Sequence, residues 1–577
     1  NTIMKEAAQA GSGKYYYGGD AATLEAQLIA AIQDILAQAA SGTAVSVLTT
    51  SSRGVGSVVQ AYFLPKTSEG TRDIWWTGYL QNLWIDPLDN LRDDSSGSTE
   101  NPPVADYKLE LDKDDVIKLY FNPANNQTEV ALFTTTADGT GGTLATCLGT
   151  DPDIKPFSEV TALWEAGKKL AIMNPSDRNI FTSKKVLRDT ATTHTISANI
   201  FETSMDAALQ AALNPEATTY TANSIIRYVR GECLETGVTG NTSCGGSVDE
   251  NFRDRRITVG GAMKVWKLGD IISSTPKVLA TMGNNTYTLD YSDGTYTAYA
   301  SSTTFTNRSS TAFVGANDGM LHAFRIGFLK DSGLTGTVKA LFKNFYNSGD
   351  TINNELGLEM WAYIPFNAFP YLKYLAKPEY SACHIYYNDL SVRLVDASIG
   401  DAAASPADAR TSSSWRTILI GGMRFGGSGS STTDYPTEAR PNGPPAGTPA
   451  NVGWSSYFAI DVTNVGTTGD PASEPVPLWE FTESDMGYSS TYPSIIRTGN
   501  NSSNGNWYVV VGSGSTAMPS SGVTGRDIAR TRPGYVYVLD LKTGARKKKI
   551  SIGHNGIVGD ILGIDAVIIG GGLIGGW

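Results

Sequence analysis

Apolar and polar positions alternate in short runs between Ala44 and Leu148: VSVLTTS, VGSVVQAYFLP, DIWWTGYLQNLWID, YKLELDKDDVIKLYF and EVALFTT. A period of two puts successive side chains on opposite faces of a strand, so half-buried β-structure is predicted, arranged as a small β-sandwich-like domain over 43–150. NLRDDSSGSTENPPV, from Asn90 to Val104, is a loop by composition. Before this region the period changes. Leu24, Leu28, Ile32, Ile35 and Leu36 fall on one face of a predicted helix over Asp20–Ala40, with Asp20 as N-cap and Ser41-Gly42 as the stop. Lys14 to Tyr17 reads as a short strand leading into it. Helical spacing returns between Phe157 and Arg255, with a stripe of Val160, Leu163, Trp164 and Leu170 and shorter pieces at MDAALQAAL and SIIRYVRG. From Trp266 to the end the pattern is strands and turns. Ser-, Thr- and Gly-rich insertions at Ser273–Ser310 and Ser428–Asn451 interrupt it, long enough to carry surface variation or partner contacts.

Within this last part a unit recurs. TAFVGANDGMLHAF at 311–324 is an apolar run closing on Gly315, a turn through Asn317-Asp318-Gly319, and a second apolar run. RTILIGGMRFGG at 416–427 with SYFAIDVT at 456–463 repeats it, as does WYVVVGSGS at 507–515 with GYVYVLDLKTG at 534–544. AVIIGGGLIGGW from Ala566 would begin a fourth, and Gly421, Gly512 and Gly570 match Gly315. A repeated hairpin in a Gly-rich β chain predicts a propeller. Trp479 and Trp507 then read as blade packing.

Composition narrows the function classes. At 577 residues the chain exceeds one core, so two to four domains are expected. A net charge of -12 argues against a nucleic-acid partner, because phosphate binding needs a basic stripe and Arg546-Lys547-Lys548-Lys549 is too short to supply one. There is no 18-residue apolar span, hence no predicted transmembrane segment. Cys233 and Cys244 enclose the polar loop ETGVTGNTS and are the disulfide candidate, with a closure effect of about 3 kcal/mol. No C-x-x-C spacing suggests zinc. The start at Asn1 without Met, and an end inside a hairpin pattern, predict a segment of a longer protein.

The chain resembles the PilC/PilY-type proteins at the tip of type IV pili. The resemblance rests on ALWEAGKKLA at 162–171 with RNIFT at 178–182, SIIRYVRG at 224–231, WKLGDIISSTP at 266–276 and FVGANDGMLHAF at 313–324. It continues through EMWAYIPFNAFPYLKYLA at 359–376, WRTILIGGMRFGG at 415–427 and SSYFAIDVTN at 455–464. It implies a mainly β fold with a C-terminal propeller of the quinoprotein-dehydrogenase-like type. It also implies that 1–42 is the closing strand and helix of a von Willebrand A-like domain, since KYYYGGDAATLEAQLIAAI at 14–32 is similar to that domain's end. The propeller would occupy 151–577, with a helical lead-in over 151–255 and a truncated C-terminus. The resemblance further implies a non-catalytic role in pilus assembly and surface adhesion through propeller loops. Minor pilins at the tip and a host or abiotic surface ligand would be the partners. The location would be the surface of a Gram-negative bacterium, reached through the periplasm.

Candidate sites are few. Such proteins often carry an Asp-rich Ca²⁺ loop in a late blade, and the corresponding stretch here keeps only Asp560 and Asp565, too few oxygens for six- to eight-fold coordination. IDAV joins two strands without a turn, which predicts residues missing between Asp565 and Ala566. Asp94-Ser95-Ser96-Gly97-Ser98 matches the D-x-S-x-S metal string but lacks the preceding buried strand, so it reads as a chance match. Asn317-Asp318-Gly319 reads as a turn, and His322 as a hydrogen-bonded blade residue with no partner acid fixed by the sequence. His194, His384 and His554 are isolated. A quinone-dependent dehydrogenase is the alternative of another class, and a calcium-regulated switch a third. No adjacent cysteines, G-x-S-x-G, H-E-x-x-H or Walker loop favours an enzyme.

Overall fold

The computed structural model describes residues 45–49, 55–95, 105–122, 127–133, 153–183, 187–188, 198–213, 220–234, 252–349, 355–400, 408–429, 448, 452–467, 474–499, 503–516, 532–563, 566–569 and 572–575. The predicted strand and helix at 14–40, and with them the A-like tail 1–42, lie outside these residues. Among the described residues no helix is long and apolar enough to cross a membrane.

Three antiparallel four-stranded meanders follow one another. The first joins Lys277–Leu279, Ser310–Gly315, Leu321–Lys330 and Glu359–Ile364. The second joins Arg393–Ser398, Trp415–Gly422, Tyr457–Asp461 and Val476–Thr482. The third joins Ser494–Thr498, Asn506–Gly512, Pro533–Asp540 and Arg546–Asn555. The three complete repeat units read from the sequence are the two inner strands of these meanders. The stretch begun by Ala566 forms a separate two-stranded hairpin, Ala566–Ile569 with Gly572–Gly575.

The strands predicted over 43–150 are present at Val45–Thr49, Gly56–Glu69, Arg72–Ile85, Lys108–Glu110, Val116–Asn122 and Gln127–Phe133. All but Lys108–Glu110 belong to one sheet, together with Leu91–Arg92, Asp153–Pro156 and Trp164–Glu165. Lys108–Glu110 instead pairs with Val338–Lys343, beside the first meander.

Four sheets therefore stack face to face, and the alternation along each strand decides which neighbour a residue meets. Ala312, Val314, Phe324 and Ile326 share a core with Val59, Leu80 and Trp84 of the N-terminal sheet. Phe313 and Leu321, facing the other way, share one with Leu419, Phe458 and Ile460 of the second meander. Ile418, Ile420, Tyr457 and Trp479 pack in turn against Val509, Val511 and Tyr537 of the third. Strands buried on both faces need apolar residues at every position, which is why 312–314 and 418–420 read as unbroken apolar runs. Trp361, Trp415 and Trp479 are fully buried at these interfaces.

Two sequence expectations fail for identifiable reasons. The stripe from Val160 to Leu170 is not one helix. Trp164 and Glu165 pair as strand with Asn82 and Gln81, and the helix runs only over Ala166–Ile172. Glu165 caps it, accepting from the N–H groups of Gly167 and Lys168 at 2.8 and 2.6 Å. The lead-in also contributes strands: Ile180–Thr182 runs parallel to Ala362–Ile364, and Leu187–Arg188 parallel to Phe481–Thr482. The helices at Ala207–Leu213 and Ala222–Arg230 match the periodicity, the second closed by a Thr221–Ser224 capping box and by Gly231 at φ +99°.

The insertion Ser273–Ser310 is not a free loop either. Three short helices within it direct Tyr287, Tyr296, Tyr299 and Phe305 into the core between the second and third meanders. The Tyr296 hydroxyl donates to Asp396 at 2.7 Å and its ring lies 4.7 Å from that of Trp415. Most of 428–451 lies outside the described residues.

Candidate functional site

The loop Ala316–Met320 joins the inner strands of the first meander, and only Gly319 within it has positive φ, at +99°. Asp318 is held by this loop, accepting from the N–H of Met320 at 3.1 Å and of Gly269 at 2.9 Å. On the strand leaving it, His322 is completely buried. Its Nε2 donates to Asp318 Oδ2 at 3.0 Å and its Nδ1 to Glu359 Oε1 at 2.7 Å. Glu359 opens the fourth strand and receives a two-pronged contact from Arg178 of the lead-in, Nε to Oε2 at 2.7 Å and Nη2 to Oε1 at 2.9 Å. Arg178 Nη1 also donates to the carbonyls of Val229 and Arg230, behind the second lead-in helix.

Both ring nitrogens of His322 face carboxylates, so both must donate and the ring is an imidazolium. Burial alone would depress its pKa. The charge of Asp318 and the hydrogen bonds to Asp318 and Glu359 outweigh that and push it up to about 9. Glu359 is held far below the ordinary carboxylate range despite burial, first by Arg178 and then by His322. A ring with both nitrogens occupied has none left to act as a base. The chain Arg178–Glu359–His322–Asp318 ties lead-in, strand and turn together. His322 is thus hydrogen-bonded, as expected, and the partner acids that the sequence left unfixed are Asp318 and Glu359. Asp318, four residues earlier across the hairpin turn, was the one signal in the sequence.

Against this network lies a cleft lined by Trp76, Thr77, Arg253, Arg255, Lys267, Asp270, Asn317, Asp318 and Tyr380, among others. Lys267 Nζ donates to the carbonyls of Leu170 and Ala171 at 2.9 and 3.0 Å, closing the C-terminus of the lead-in helix. Burial, then the charges of Arg178 and Arg255, push its pKa down to about 7. The Arg253 guanidinium sits 4.3 Å from the Tyr380 ring centre, with Nε donating to the Tyr228 hydroxyl at 3.2 Å. Asp270 accepts from Asn317 Nδ2 at 2.7 Å and from His384 Nε2 at 2.9 Å, so His384, read as isolated, has an acid partner. The Trp76 ring lies 4.2 Å from that of His384, on a backbone with φ +60° that non-glycine residues seldom adopt.

The remaining sequence candidates fall elsewhere. Asp560 is exposed and accepts from the Tyr492 N–H at 2.8 Å, and Asp565 lies outside the described residues. Asp94 is buried, with Oδ2 accepting from the Tyr107 N–H at 2.8 Å, while Ser96 and Ser98 lie outside the described residues. Among the described residues no group of three His, Cys, Asp or Glu side chains could hold a metal ion. Cys233 is disulfide-bonded and Cys383 is free and exposed. Its candidate partner Cys244 lies outside the described residues, as does Cys147.

Successive four-stranded meanders stacked through double-faced apolar strands are blades of a propeller. The family model of the PilY1 beta-propeller domain matches residues 268–564, just over half the chain, and the chain belongs to that family. Among curated relatives, the type IV pilus biogenesis factor PilY1 homolog of Xylella fastidiosa is 26% identical over 338 residues, covering 57% of this chain and 16% of that protein. The type IV pilus biogenesis factor PilY1 of Pseudomonas aeruginosa is 29% identical over 319 residues, covering 53% of this chain and 18% of that protein. The match thus spans less than a fifth of either relative. No solved structure matches.

Proposed function

We propose that this chain acts in type IV pilus biogenesis as a binding protein at the pilus tip, its propeller presenting loops to minor pilins and to a host or abiotic surface. The family match over 268–564 carries this reading, and the naming of the relatives as type IV pilus biogenesis factors supports it. The buried network agrees with it: His322, the most catalytic-looking side chain of the signature hairpin, is spent on holding three segments together. In this reading the protein is non-catalytic and works at the cell surface after export through the periplasm. The segment 1–42 closes an A-like domain, 43–150 connects it to the propeller lead-in, and Cys233 pairs with Cys244.

The test is genetic. Deleting the gene in its bacterium and counting surface pili by electron microscopy, with attachment to glass and to host cells in parallel, should show loss of both. Reintroducing the full gene should restore them. Unchanged piliation and attachment in the deletion strain would overturn the proposal.

A further inference from the structure

The outer face of the third meander is apolar, and among the described residues no sheet lies against it. Val509, Val511 and Tyr537 face the core shared with the second meander. The alternate positions face away, and register sets them side by side: Ile496 opposite Tyr508, Val510 opposite Val538, Val536 opposite Ile550. Val510 is buried, Ile496, Tyr508, Val536 and Val538 are half-buried, and Ile550 is exposed. In the second meander Ile418, Leu419 and Ile420 are all fully buried, because sheets cover both faces. A continuous apolar face left open in this way marks a contact surface.

The course of the chain identifies the occupant. After the first meander the backbone crosses back just past the glycine that ends the second strand. There the Asn388 N–H donates to the Ala316 carbonyl at 3.4 Å, and the next meander opens five residues later at Arg393. After the second meander Ser489 pairs with Arg424, and the third opens five residues later at Ser494. After the third, the Val558 N–H donates to the Ser513 carbonyl at 2.9 Å, the same crossing again. Five residues on stands Gly563, whose N–H donates to Ser494 Oγ at 2.9 Å and where a Cβ would lie 2.8 Å from Ile496 Cγ2, on the outer face. The hairpin Ala566–Ile569 with Gly572–Gly575 begins three residues beyond, a tether of at most about 10 Å. Its first strand is apolar at successive positions, Val567, Ile568 and Ile569, as a strand covered on both faces requires. A two-stranded hairpin by itself is only marginally stable in water.

We propose that the outer face of the third meander is the docking surface for the hairpin 566–575, which thereby opens a fourth blade. The proposal stands independently of the pilus reading. The test is a cysteine pair in the full chain carrying Cys383→Ser. Val538→Cys is combined in turn with Val567→Cys, Ile568→Cys and Ile569→Cys and oxidised mildly. At least one pair should close a disulfide within a single chain, read by mass spectrometry. Val538→Cys with Ile172→Cys, exposed at the end of the lead-in helix, should not. Ile568→Asp in the full chain should raise bis-ANS emission about twofold by uncovering the face. A link formed only between two chains would make a second copy the occupant and overturn the proposal. So would the absence of any link, linking to Ile172→Cys to the same extent, or unchanged emission in Ile568→Asp.

Discussion

Glu359 and His322 are joined by a 2.7 Å hydrogen bond in which neither side chain reaches solvent. Glu359 therefore pairs with two buried cations at once, His322 and Arg178, and Asp318 supplies the second negative charge of the set. Replacing one member of such a set leaves its partners charged and uncompensated, at a cost of about 3–5 kcal/mol. Glu359→Gln should lower the unfolding free energy by an amount of this order, read as a lower urea midpoint at an unchanged m-value. Arg178→Met combined with Glu359→Gln should cost less than the sum of the singles, because the second change removes a charge that the first has orphaned. Strict additivity would show that the pair is not coupled.

The same pairing sets a pH dependence. The His322 pKa is raised to about 9 in the folded chain from an ordinary value near 6.5, so the folded state holds the proton more tightly. The stabilisation is fully present below about pH 6.5 and disappears as pH rises through about 9. The shift corresponds to roughly 3 kcal/mol. The difference in unfolding free energy between the wild-type chain and His322→Gln should shrink by an amount of this order between pH 6 and 10, the comparison cancelling the opposite contribution of Lys267, whose lowered pKa adds stability over the same window. A difference that stays constant or grows across this window would contradict the imidazolium assignment.

Local physics was legible in the sequence and pairing between distant segments was not. Alternation located the strands, including the repeated inner pairs such as Ser310–Gly315 with Leu321–Lys330, because burial on one or both faces is written in the side chains themselves. It could not place Trp164-Glu165, whose helical spacing yields to pairing with Asn82 and Gln81, residues far upstream. Nor could composition show that the Ser- and Thr-rich insertion hides Tyr296 and Tyr299 in the core. Asp318 stood near His322 in the sequence, but Glu359 and Arg178 reach it only through sheet register and the parallel lead-in strand.

The glycine that ends each first inner strand was legible as a pattern and explained only by packing. Gly315 does not have positive φ. A Cβ there would lie 2.2 Å from the backbone oxygen of Asn388. At Gly512 the nearest atom would be Val558 Cβ at 2.4 Å, on a chain segment outside any strand. Backbone between two sheets yields less readily than a side chain on a peripheral loop. Gly315→Ala should destabilise by about 3 kcal/mol and Gly512→Ala by about 1 kcal/mol, both from overpacking. Thermal unfolding of the two variants side by side checks the order, and equal losses would refute the argument.

Asp93 offers a substitution in the opposite direction. It is buried, its Oδ1 accepts from Ser95 Oγ and the Asp115 N–H at 3.0 and 2.8 Å, and its Oδ2 has no partner among the described residues. Burial, followed by the charge of Asp115, raises its pKa to about 7. A carboxyl raised on folding stabilises the folded chain only while protonated, so its penalty grows as pH climbs from about 4 and is complete above about 7. Asp93→Asn keeps the accepting oxygen and puts an N–H₂ where the unpartnered oxygen stands. It should therefore raise stability by about 1–3 kcal/mol at pH 8 and change it little at pH 4. Paired urea titrations at the two pH values check this, and equal effects at both would mean that the Asp93 charge is already relieved by another group.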